Sequence, residues 1–134
     1  MEIKLSKTFF KKLEFIRVPK EQDKERIKLS LDLKVGFNEK YKKSFRVKFI
    51  LSLIDPTESF NLHCEYIAKF KTNEDISQEF RDSHFPKVNA PAIAFPYFRA
   101  AISSISLNAG YNPIILPTIN FVKFNEDKKD EIQD

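Results

Sequence analysis

The chain has 134 residues, with one cysteine, two glycines, 14 phenylalanines and a formal net charge of +4, the size of one domain whose core needs no covalent staple. A lone cysteine excludes an internal disulfide and a thiolate zinc site, and two glycines exclude the phosphate cradles that need several for close backbone approach. Charge is uneven: residues 1–48 hold 15 Lys/Arg against 7 Asp/Glu, residues 49–124 hold 6 against 7, and residues 125–134 hold 2 against 5.

Met1 to Lys12 interleave lysine with apolar residues and lack the continuous apolar stretch of a secretory signal. No window reaches the roughly 18 to 20 apolar residues of a membrane helix. A cytoplasmic protein without membrane insertion is expected, with Cys64 reduced. Residues 9–18 suggest a first strand, with Leu13 and Phe15 alternating against Lys12 and Glu14. Residues 26–37 give the clearest alternation: Ile27, Leu29, Leu31, Leu33, Val35 and Phe37 against Arg26, Lys28, Ser30, Asp32 and Lys34. Residues 45–54 continue it with Phe45, Val47, Phe49, Leu51 and Leu53, and Asp55-Pro56-Thr57-Glu58 signals a turn. Residues 60–70 place Phe60, Leu62, Cys64, Tyr66, Ala68 and Phe70 on one face. Four strands on short links predict antiparallel neighbours.

The second half reads differently. Residues 74–82 predict two helical turns begun by Glu74 and Asp75, with Ile76 and Phe80 at i, i+4. Asn89 to Pro91 reads as a break. Residues 95–109 predict a helix with Pro96 in its first turn and Gly110 just past its end. Phe98, Ile102, Ile105 and Ala109 form its stripe. The other faces carry Ala100, Ala101, Ser103, Ser104 and Ser106, and Arg99 is its one charge. A helix so poor in charge is expected to be covered on most sides, more than one sheet can manage, so an oligomer is expected. Residues 111–121, broken by Pro113 and Pro117, read as extended. One domain over residues 1–124 and a frayed polar tail over 125–134 complete the reading.

Reactive chemistry finds little support. His63 and Cys64 are strand neighbours and point to opposite faces, so they cannot pair as base and nucleophile. No spacing suggests a metal site, and no catalytic residue, metal or cofactor is expected. Lys40-Tyr41-Lys42-Lys43-Ser44-Phe45-Arg46 interleaves cations with aromatics and could hold a single nucleic-acid strand. Phe45 belongs to the buried parity of its strand, which argues against it. A basic-strand module for nucleic acid or an acidic protein partner is the alternative reading, and a small-ligand pocket between helix and sheet a third.

One stretch is more specific than pattern. Residues 93–121, IAFPYFRAAISSISLNAGYNPIILPTINF, resemble the signature segment of the SecB protein-export chaperone family. The matching residues are Phe95, Pro96, Tyr97, Arg99, Gly110, Tyr111, Pro113, Pro117, Asn120 and Phe121; Cys64-Glu65 and Leu13-Glu14-Phe15 look like two of the family's strands. The resemblance implies an α+β fold, a four-stranded antiparallel sheet with a long helix packed on one face, oligomerising through helix and sheet as a dimer of dimers, a homotetramer. It implies an ATP-independent holdase whose apolar grooves bind unfolded polypeptide clients. Client contacts are expected at Phe98, Ile102, Tyr111, Ile114 and Leu116, with Phe60 and Tyr66. Interface roles are expected at Ala100, Ser104, Ile105 and Cys64. Members that dock the translocase motor use acidic residues; here Lys12 and Ile16 stand in two such places, and Glu65 alone matches. The family's C-terminal helix is expected to be lost after Phe124. The client is expected to be an exported protein or a dedicated one, such as the antitoxin of a toxin–antitoxin pair.

Overall fold

The computed structural model describes residues 1–20 and 26–133. Four strands, β1 (Ile3–Arg17), β2 (Lys28–Asn38), β3 (Tyr41–Asp55) and β4 (Phe60–Thr72), form one antiparallel sheet in the order β1-β4-β3-β2. β2, β3 and β4 follow the alternation of their sequences, with the odd residues of β3 and the even residues of β4 turned to one buried face. The β3–β4 turn is closed by Asp55, whose Oδ1 accepts the amides of Thr57 and Glu58, both at 3.0 Å.

β1 begins six residues earlier than its alternation predicts, at Ile3. Two irregularities explain why its sequence hides it. Register shifts between Leu5 and Lys7, and between Phe10 and Lys12, each leave one residue unpaired. Each shift flips the parity of the strand. The residues opposite the buried side of β4 are therefore Ile3 and Leu5, then Thr8 and Phe10, then Leu13 and Phe15.

The helical side starts with α1 (Gln78–Asp82), capped by Ser77, whose Oγ accepts the Phe80 amide at 3.1 Å. Glu74 and Asp75 thus precede the helix instead of opening it. Asn89 to Pro91 is no break. A single π-helical turn, Phe85–Asn89, runs directly into α2 (Ala90–Asn108). Pro91 sits in the first turn of α2, where a missing N–H costs nothing, and Pro96 falls inside the helix. α2 lays Ala94, Phe95, Phe98 and Ile102 on the sheet. Phe98 stacks on Phe49 at 5.2 Å between centroids, and Phe95 meets the same ring edge-on at 5.6 Å.

The expected loss of a C-terminal helix is corrected: α3 spans Phe121–Gln133, across the boundary expected at 124. Its start is specified locally. Asn120 Oδ1 accepts the amides of Val122 and Lys123 at 3.1 and 3.2 Å. Phe121 is buried, packing 5.6 Å from Phe95 and 6.0 Å from Phe124. Asn125 Nδ2 donates to the Lys87 carbonyl at 2.6 Å, tying α3 to the π-helical turn. Two aromatic anchors and a cap outweigh the polarity of the rest. Among the described residues no helix is long and apolar enough to cross a membrane.

Candidate functional site: an apolar groove beside the returning segment

The site is made by how α2 ends. Gly110 takes φ = 91°, in the region that disfavours side chains. Its amide donates to the Leu107 carbonyl at 3.1 Å, and the Tyr111 amide donates to the Ser106 carbonyl at 3.0 Å. That pair of bonds is a Schellman cap, which reverses the chain. Residues 111–120 then run back along α2 without regular structure.

The returning segment cannot satisfy its backbone in a ladder, and α2 supplies the partners. Arg99, Ser103 and Ser106 lie one helical turn apart on one side of it. Arg99 Nε donates to the Leu116 carbonyl at 2.9 Å, and Ser103 Oγ to the Ile114 carbonyl at 2.6 Å. Ser106 Oγ accepts the Ile114 amide and donates to the Ser103 carbonyl, both at 2.9 Å, at a fully buried position. The polar residues of α2 therefore strap down the segment that follows it.

Tyr111 closes the near end. Its ring lies 5.4 Å from Phe15 and 5.0 Å from Phe60, and its hydroxyl donates to the Ser59 carbonyl at 3.2 Å. The Arg17 guanidinium covers the ring at 4.5 Å while donating to the Ala109 carbonyl at 3.2 Å. Between the strapped segment and the paired ends of β2 and β3 lies a cavity of about 310 Å³. Its walls are Leu29, Leu53 and Phe60 from the sheet, Ile27 just before β2, and Tyr111, Ile114, Ile115 and Leu116 opposite, with Asp55 and Glu58 among the few polar groups. Ile115 is 76% exposed and Ile27 58%.

Of the residues singled out as client contacts, Phe60, Tyr111, Ile114 and Leu116 line this cavity, Ile114 half-buried and the other three buried in its wall. Phe98, Ile102 and Tyr66 do not. Phe98 and Ile102 have no exposed surface, and Tyr66 packs between Phe10 at 4.8 Å and Phe98 at 5.1 Å. The sheet claims the very stripe of α2 that marks it as amphipathic. Sequence reasoning missed Ile27, Leu29 and Ile115. The available signal was Ile114-Ile115-Leu116: in extended chain neighbours point opposite ways, so three consecutive large apolar residues cannot all face one core.

The residues singled out for an interface also divide. Ala100 and Ser104 lie on the outer face of α2, and Ile105 is half-buried. Cys64 is enclosed by the chain's own core at 0% exposure, with no surface for a partner, and burial pushes its thiol up to about 12. The outer face of α2 presents Ile93, Tyr97, Ala100, Ser104 and Leu107 at alternating spacings of four and three. It carries no charge, and Tyr97 and Leu107 are 54% and 60% exposed. Glu65 projects from the other face of the sheet. Its carboxylate accepts a hydrogen bond from Lys48 Nζ at 2.9 Å, which, with the nearby charges of Lys11 and Lys12, holds it below the usual carboxylate range.

Comparison with known proteins bears on the family and the fold. The profile of the family described as preprotein translocase subunit SecB matches residues 2–131. A protein of Methanocaldococcus jannaschii is 31% identical over 125 residues, covering 88% of this chain and 79% of that one. The protein-export protein SecB of Anaplasma phagocytophilum is 29% identical over 75 residues, 54% of this chain and 46% of that one. Among solved structures, the SecB-like chaperone Rv1957 of Mycobacterium tuberculosis, in complex with a peptide from the HigA1 antitoxin, superposes with a TM-score of 0.65. It covers 87% of this chain and 90% of that one at 14% identity, a likeness of fold.

Proposed function

Because the chain belongs to the SecB family, we propose that it is a chaperone that needs no nucleotide and holds unfolded polypeptide segments in the groove between residues 111–117 and the ends of β2 and β3. The observation that carries this reading is the groove itself. Apolar side chains surround it, and two of them, Ile27 and Ile115, stand mostly in solvent. A concave apolar site with a few polar groups at its edge is the usual form of a binding site. Burying a client's leucine or phenylalanine there contributes about 1.5 to 3 kcal/mol. Apolar contact has no fixed donor geometry, so many client sequences fit. The cavity is near the low end of the ~300 to 1,000 Å³ common for ligand sites, so it takes client side chains a few at a time.

The client class is an extended apolar polypeptide segment, from an exported protein or from a dedicated partner. The antitoxin peptide bound by the mycobacterial chaperone is a partner of the second kind. Glu65 makes a poor dock for a translocase motor, since Lys48 already holds its carboxylate. A second copy covers the outer stripe of α2, and the homotetramer is the assembly that family resemblance implies.

The test is aggregation of a chemically unfolded protein followed by light scattering, with this chain and without nucleotide, at low and high salt. Suppression that persists or strengthens at high salt is expected, because apolar burial survives screening. Suppression confined to low salt, or none, contradicts the groove-based reading.

A further inference from the structure

The face of the sheet turned away from α2 is a second surface, and its charge is concentrated at one end. Facing pairs across the strands place Gly36, Arg46, Lys69 and Lys7 on one rung. The next rung outward holds Ser44, Lys71 and Lys4. Arg46, Lys71, Lys7 and Lys4 are exposed, and Lys69 is half-buried. None of these five cations has an ion-pair partner among the described residues. Glu65, also on this face, is taken by Lys48. Gly36 leaves open space beside Arg46, and with Ser6 and Ser44 it floors a hollow of about 550 Å³ rimmed by Arg46, Lys69 and Lys71.

We propose that this basic end of the outer sheet face is a docking surface for an acidic polypeptide segment. Five uncompensated cations across three strands repel one another, and an anionic chain relieves that repulsion. A nucleic acid would supply the same charge, but single strands are held by aromatic rings on which successive bases stack. Phe9 is half-buried opposite Ile67, and Lys7 Nζ caps its ring at 5.4 Å. Tyr41 is the one open ring nearby, with Lys40 Nζ at 5.8 Å. Lone rings make no stacking track, whereas carboxylates need none. The surface is also remote from the groove. Arg46 and Leu53 are seven residues apart on β3, about 23 Å of strand, and they face opposite sides of the sheet. Acidic partner and apolar client can therefore be held together.

The test is fluorescence anisotropy of a dye-labelled decaglutamate peptide with the full chain. Binding is expected, falling about tenfold or more between low and high salt as screening sets in. The triple variant Arg46→Glu, Lys69→Glu, Lys71→Glu is expected to lose at least about tenfold in affinity. A control of equal net charge, Lys20→Glu, Lys87→Glu, Lys123→Glu, keeps it. Both variants are expected to suppress aggregation as the parent does, separating this surface from the groove. Absence of binding, equal loss in the control, or tighter binding of decathymidylate would overturn the proposal.

Discussion

Two residues, Gly110 and Cys64, carry testable physics at the scale of single residues. Gly110 reverses the chain at φ = 91°, a conformation that costs an L side chain about 1 to 2 kcal/mol. Gly110→Ala is therefore expected to lower the free energy of unfolding by about that amount in urea titration, and unchanged stability would show that another conformation is accessible. Cys64, at 0% exposure with its thiol pushed up to about 12, stays protonated in the fold. The folded state favours the neutral thiol, so this contribution to stability is complete below the free thiol's 9.0 and is lost as pH rises from there toward 12. Iodoacetamide should modify Cys64 in the native protein about a hundredfold more slowly than in denaturant. Equal rates would mean that the sheet opens.

Elements differ in how plainly their sequences announce them. β2, β3 and β4 each keep one apolar parity over residues 26–37, 45–54 and 60–70, interrupted on the other only by Ile50, Ile54 and Ile67, so strand and buried face coincide with the pattern. β1 is half hidden because its two register shifts reverse parity, and a period-2 reading fails at each. α2 ends where Gly110 says, yet its beginning is obscured because Pro91 is read as a breaker when it occupies a first turn. By sequence the serines of α2 are only part of its uncharged faces. Ser103 and Ser106 instead hold the returning segment by hydrogen bonds that depend on the chain doubling back. Half the groove was legible as apolar residues in 111–121. The β2 half was not, since Ile27 and Leu29 belong to a regular alternation, and only the narrow packing at a sheet edge leaves them open. Ser106→Ala removes the acceptor of the part-buried Ile114 amide, with an expected cost of about 1 kcal/mol. Hydrogen exchange at the Ile114 amide should accelerate with it; unchanged protection would mean the strap is not what orders the segment.

At the scale of the whole molecule, three surfaces lie apart: the groove, the uncharged outer stripe of α2 and the basic sheet face. The second copy proposed for the stripe is testable. Tyr97→Asp with Leu107→Asp, both at exposed positions, should leave the fold intact by circular dichroism and yield smaller particles than the parent in sedimentation velocity. Identical sedimentation would place the assembly contact elsewhere. The central claim is that client segments lie in the groove. Its most direct measurement is client capture by a variant carrying Ile27→Ser and Ile115→Ser, whose side chains are mostly in solvent and contribute little to the core. Titrating a labelled unfolded protein against parent and variant should show about tenfold weaker capture by the variant, the loss of roughly 1.4 kcal/mol of apolar contact. Capture by the folded, assembled variant as tight as the parent's would contradict the account.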